Sequence, residues 1–213
     1  MPYIDLTAEL IELVERLEPI ARSGGRGRAI MIMGAGRQTG ASTVAREFAR
    51  IAAARSRRGV WLFDLDLGSN PQKRALVERP QKAFDAGFGR NPFWRVEPEV
   101  ARARLVAREA AQRLYVTEFQ RAPGEVQRLS LRAAPDYWNA VRQSIDLAVV
   151  DAPGNNRAVL ALVADMDGVI LVSDERRPNT DAINARREAI EARGGVVAGL
   201  ILNRAPDKGQ WAA

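Results

Sequence analysis

"GAGRQTGAST", residues 34–43, follows the apolar run "AIMIM" and decides how the chain is read. A short, uninterrupted apolar run is what a strand buried on both faces needs. A glycine-rich turn directly after it offers backbone amides to an anion. Loops that wrap phosphate end in Gly-Lys-Ser/Thr, but here Ala41 stands at the lysine's place, between Gly40 and Ser42. The stretch has the form of a phosphate loop without its charge.

Outward from this loop, strands and helices alternate. A helix is predicted over 43–57, a strand over 59–63 ending in the acidic "DLDLGSNP" (64–71), and a short helix over 72–78. Residues 80–98 read as irregular, 99–113 ("EVARARLVAREAAQR") as a helix, and 114–119 as a strand. A helix over 134–144 then leads to "DLAVVDAPG" (146–154), a strand over 168–172, a helix over 179–193 and a final strand over 196–204. Such alternation predicts an α/β fold, a parallel doubly wound sheet flanked by helices. Ahead of it, Leu6, Leu10, Leu13, Val14, Leu17 and Ile20 share one face of an amphipathic helix over 6–21. The chain thus divides into an N-terminal helix and linker, 1–27, and one domain, 28–213.

Ligands of such sheets bind at the carboxyl ends of the strands. The first strand ends in the Gly loop, the second in Asp64 and Asp66, "DLAVV" in Asp151, and the last in Asn203 and Arg204. Each is weak alone, because an Asp after a strand is often a helix cap. Together they predict a crevice with phosphate-directed amides, a hydroxyl and three carboxylates.

Composition narrows the chemistry. The 213 residues contain no Cys and no His, which excludes disulfides, thiolate nucleophiles and imidazole acid–base work. No apolar run approaches the ~20 residues of a spanning helix. The N-terminus carries Asp5, Glu9, Glu12 and Glu15 where a signal peptide would be basic and then apolar, so a cytoplasmic protein is expected. The net charge of +6 is mostly arginine interspersed with glutamate. No basic block is long enough to mark a nucleic-acid site, so nucleic acid is not an expected partner. One further stretch, "KAFDAGFGRNPFW" (82–94), gathers Phe84, Phe88, Phe93 and Trp94. These aromatics either anchor a partner or, the favoured reading, pin a long loop to the core, and the exposure of Trp94 decides between the two.

"IMGAGRQTGAST", "VWLFDLDLGSNP", "DLAVVDAPG" and "GLILNR" resemble, in order, the Walker A, second acidic, Walker B and final Asn-Arg motifs of the bacterial tyrosine kinases that regulate capsule and exopolysaccharide export. The resemblance covers about residues 28–205. It implies a P-loop NTPase-like fold and ATP or ADP as ligand, cradled by Gly36, Arg37, Gln38, Thr39, Gly40, Ala41, Ser42 and Thr43, with Asn203 and Arg204 at the far end. It implies Mg²⁺ at Ser42, Asp66 and Asp151, with Asp64 and Asp66 as residual catalytic carboxylates. A membrane polysaccharide co-polymerase is the implied partner, recruiting the chain by its cytosolic tail to the inner face of the plasma membrane.

The departures carry equal weight. Gly68 stands where the family has a basic residue, and the three tyrosines, Tyr3, Tyr115 and Tyr137, are scattered rather than clustered at the C-terminus. Glu12, Glu15 and Glu18 replace the family's Glu-x-x-Arg-x-x-Arg assembly motif, so a homo-oligomer stays open but the family's eight-membered ring is not expected. A lysine's charge-assisted phosphate contacts are worth ~1.5–3 kcal/mol each, and losing a donor aimed at developing charge costs about 100- to 1000-fold in rate. A degenerate kinase with weak, Mg²⁺-dependent nucleotide binding is the expected protein. Two alternatives are an active autokinase whose loop is rebuilt around Arg37 and a partition-type ATPase-like module that binds DNA or membrane.

Overall fold

The structure is a computed structural model that describes residues 10–12, 15, 25–78, 82–154, 156–177 and 179–204. From Arg28 onward the described residues form, in order, β1 (Arg28–Gly34), α1 (Ala41–Arg55), β2 (Val60–Asp64), α2 (Pro71–Leu76), β3 (Ala83–Asp85), β4 (Trp94–Glu97), β5 (Ala103–Ala111), β6 (Leu114–Arg121), β7 (Arg128–Leu131), α3 (Pro135–Ser144), β8 (Leu147–Ala152), β9 (Gly168–Asp174), α4 (Thr180–Glu191) and β10 (Val197–Asn203). A 3-10 helix, Arg157–Asp165, lies between β8 and β9.

The main sheet has eight strands in the order β10-β9-β1-β8-β2-β6-β5-β3. From β10 to β6 every neighbouring pair is parallel, and β5 and β3 extend the sheet by antiparallel pairing. β1 and β8 sit centrally, so their side chains must be apolar towards both layers. Alternation divides them: Ile30, Ile32, Val149 and Ile170 pack under Val44, Phe48 and Ile51 of α1, while Met31, Met33, Val150 and Leu171 pack on the other face with Trp138, Val141, Leu162 and Ile190.

The predicted helix over 99–113 is a correction. Those residues contribute β5 and the two-residue turn Gln112–Arg113 that returns the chain into β6, with Leu105 opposite Phe119 and Ala111 opposite Leu114. Arg113 takes φ +62 in that turn. Pairing with "LYVTEF" and burial of Leu105, Val106 and Ala107 override the helix propensity of the Ala, Arg and Glu around them. The region read as irregular, 80–98, holds β3 and β4, and β4 pairs antiparallel with β7 as a separate ribbon.

The aromatic stretch packs inward. Phe93 is fully buried among Phe63, Tyr137 and Trp138, and Trp94 is half-buried, edge-on to Phe119 with ring centres 5.0 Å apart. The Tyr137 hydroxyl donates 2.6 Å to the Ala86 carbonyl, which fixes the loop between. Of the helix predicted over 6–21, residues 10–12 and 15 are described and helical, Leu10 is buried in the α1-side core, and Glu15 lies 3.5 Å from Arg55. The remainder of that helix lies outside the described residues. No helix among the described residues is long and apolar enough to cross a membrane.

Candidate functional site

The Gly loop leaves β1 and enters α1 in one tight wrap. Ala35 donates 2.9 Å to the Val172 carbonyl, and the amides of Thr43 and Val44 turn back onto Gly40 O at 3.0 Å each. Gly40 sits at φ +83, and a Cβ there would fall 2.2 Å from Asn203 Nδ2, so the position demands glycine twice over. After β8, Gly154 passes so close that a Cβ would meet Gly36 O at 2.5 Å. The loop is thereby backed by the chain that follows Asp151.

Residues 34–43 form one wall of a cleft of about 950 Å³. Ser173, Asp174, Arg176, Arg177, Asn179 and Arg204 also line it. Four arginines, Arg37, Arg176, Arg177 and Arg204, line this space against one carboxylate, Asp174. Arg176 and Arg204 are both tied to Asp174, at 3.1 and 2.5 Å, and the two guanidiniums hold its carboxyl far below the ordinary range. Among the described residues, Arg37 and Arg177 have no carboxylate partner. The cleft therefore stays cationic although Ala41 offers only a methyl group, buried against the α1-side core.

The two residues expected at the far end do different work. Asn203 Nδ2 donates to Thr39 O at 2.8 Å and is not part of the cleft wall, whereas Arg204 lines the cleft and donates to Gln38 O at 3.1 Å. Both hold the loop by its carbonyls. Sequence spacing shows that these residues reach the loop, but not that they grip its backbone.

The three carboxylates lie behind the loop. Asp64 and Asp151 are register partners on β2 and β8 and both are buried. Asp64 accepts from the amides of Asp66 (3.0 Å) and Gln72 (2.8 Å). Asp151 accepts from the Ser42 hydroxyl (3.1 Å) and the Gln72 carboxamide (2.6 Å). Asp66 accepts from Ser69, whose amide and hydroxyl lie 3.2 and 2.5 Å away, and faces an adjoining hollow of about 370 Å³ beside Leu129, Leu131 and Asn156. Of the three expected Mg²⁺ ligands, then, Ser42 alone lines the cleft. Its proton goes to Asp151, which leaves the hydroxyl's lone pairs unused by that contact. An ion in the cleft would have Ser42 Oγ as its one expected protein ligand, with phosphate oxygens and water completing the shell.

Gln72 carries no motif signal and was read only as the start of a short helix. It is fully buried and touches Asp64, Asp151, Ser42 and Arg46. A polar residue directly after the Pro that starts α2 is the only hint the sequence holds.

Burial lifts the Asp64 carboxyl from 3.8 to about 7, with the Gln72 amide pulling the other way and the Asp151 charge adding to the rise. The unfolded chain releases this proton near 3.8 and the native one near 7. Between those values the native state binds more protons, so the contribution is complete below the lower value and disappears as pH rises through the upper. Asp64→Asn is expected to recover up to about 4 kcal/mol relative to the parent between pH 4 and 8. Urea denaturation at both pH values checks this, and parallel shifts of parent and variant would refute it.

Neither a family model nor a curated protein sequence matches the chain. Solved structures do. The kinase domain of the Escherichia coli tyrosine kinase Etk superposes with a TM-score of 0.62 at 15% identity, covering 100% of this chain and 84% of that one. The BceF tyrosine kinase domain superposes with 0.63 at 17%, covering 95% and 82%. The fold is that of bacterial tyrosine kinase domains. It is shared also with the septum site-determining protein MinD of Pyrococcus horikoshii, complexed with Mg-ADP, which gives 0.60 at 19% identity, covering 84% and 70%. In this tyrosine-kinase-like fold the cleft between the Gly loop and the β9–α4 connection lies at the carboxyl ends of the central strands, without the three carboxylates that the sequence reading placed in it.

Proposed function

We propose that this chain is a tyrosine-kinase-like regulator of exopolysaccharide synthesis or export that retains a nucleotide cleft and has lost efficient phosphoryl transfer. The observation that carries the reading is the combination at the loop. The glycine wrap and a cationic lining are present, while the lysine's place holds the buried methyl group of Ala41. Asp64 is bonded to two backbone amides behind the loop rather than standing in the cleft, which adds to the case against catalysis. Binding needs only positioned donors; transfer needs a donor that follows the developing charge.

The proposed ligand is ADP or ATP, with any accompanying Mg²⁺ taken by Ser42. The proposed partner is the cytosolic tail of a membrane polysaccharide co-polymerase, which would bring a cytoplasmic protein to the inner face of the plasma membrane. A pull-down with such a tail from the same gene cluster is expected to retain the protein with or without ATP. No retention under either condition would sink the partnership.

One observation favours a second reading, an autokinase with a rebuilt loop: Arg37 lines the cleft and has no carboxylate partner among the described residues. Phosphotyrosine on the purified protein, lost in Arg37→Ala, would establish that reading in place of the first.

A further inference from the structure

The Gln72 side chain sits between two acceptors with no solvent exposure. Its nitrogen donates to Asp151 Oδ2 at 2.6 Å and to the Ser42 carbonyl at 2.8 Å, and its oxygen accepts from Arg46 Nε at 3.0 Å. These three contacts fix the amide's orientation, since a flipped group would set its oxygen against a carboxylate and its nitrogen against a guanidinium. The other Asp151 oxygen takes the Ser42 hydroxyl proton at 3.1 Å. Both carboxylate oxygens are therefore engaged by donors from the protein.

A carboxylate that helps to hold a hydrated divalent ion must present an oxygen to the ion or its water. Asp151 is buried and lies off the cleft lining, and its Oδ2 is held by an uncharged donor, which Arg46 polarises by bonding to the far end of the same amide. An ion in the cleft could draw on Asp151 only by entering this buried cluster. The charge a nucleotide brings is met elsewhere, by Arg37 and Arg177 on the cleft walls.

We propose that Gln72 is a built-in replacement for a cation, a positioning residue that holds Ser42 and Asp151 together so that a nucleoside diphosphate binds with little help from Mg²⁺. The proposal rests on the nucleotide reading of the cleft. It departs from the expectation of Mg²⁺-dependent binding, which assumed that three carboxylates face the anion.

Two substitutions in the full chain test it. Gln72→Glu keeps the shape but turns the donor into an acceptor beside Asp151. It should melt several degrees lower than the parent in EDTA, recover with millimolar Mg²⁺ or Mn²⁺, and show a Mn²⁺ site by electron paramagnetic resonance that the parent lacks. Gln72→Ala frees Asp151 Oδ2. Calorimetric titration with ADP should give parent affinities that agree within about threefold between Mg²⁺ and EDTA, and Gln72→Ala affinities at least about tenfold tighter with Mg²⁺. A parent whose ADP affinity changes about tenfold with Mg²⁺ overturns the proposal. So does a folded Gln72→Glu indifferent to divalent ions. If no form binds ADP, the nucleotide reading fails, and the melting and Mn²⁺ comparisons still decide the role of Gln72. If Gln72→Glu does not fold, Mn²⁺ binding gained by Gln72→Ala supports the proposal and its absence overturns it.

Discussion

Ala41→Lys is expected to bind ADP about ten- to a hundredfold more tightly than the parent, because a flexible ammonium adds charge-assisted contacts worth ~1.5–3 kcal/mol each to a loop already in shape. Ala41 is buried but borders the cleft, so a lysine there has to turn its chain away from the α1-side core to reach the phosphates. The loop's backbone need not move, since Gly40, Asn203 and Gly154 hold it by contacts that do not involve the Ala41 side chain. Calorimetry with Ser42→Ala as control measures the gain, and unchanged affinity would mean that the cleft is not a phosphate site. Tyrosine phosphorylation should not return with the lysine. Tyr137 is buried with its hydroxyl on Ala86 O, and burial pushes that phenol well above its ordinary value.

The largest stability loss is expected from Trp138→Ala, about 3–5 kcal/mol, the range for removing a buried Trp. Trp138 is fully buried and meets Phe63, Phe93 and Tyr137 at ring-centre distances of 5.2 to 5.3 Å. Its indole nitrogen has no partner among the described residues, so its contribution is packing. Trp138→Phe should lose clearly less. Because the cluster joins α3 to β2 and to the 82–94 stretch, nucleotide affinity of the folded variant should change little, and equilibrium denaturation gives the cost directly.

The parallel half of the sheet was legible because its strands are continuous apolar runs that end in chemistry: "AIMIM" into the loop, "VWLF" into Asp64, "LAVV" into Asp151. The antiparallel half was not. β5 is built from Ala, Arg and Glu, the residues of a good helix, and its tight turn uses Arg113 at φ +62 where Gly or Asn would have announced a hairpin. Only pairing with β6, a long-range fact, makes it a strand. The same limit applies at the site. Ser42 and the loop were readable from spacing, whereas the burial of Asp64 and Asp151 and the placement of Gln72 between them arise from how α2 folds back over β2 and β8. A glutamine eight places beyond Asp64 gives no sign of standing beside a carboxylate 79 residues away.

Asn203 and Arg204 grip the Gly loop by its carbonyls, at Thr39 and Gln38. Backbone ordering, which costs roughly 1–2 kcal/mol per residue when a mobile loop closes on its ligand, is thus met when the protein folds. On the nucleotide reading, a phosphate would then meet a loop already in shape, and its association should be limited by diffusion and charge rather than by loop closure.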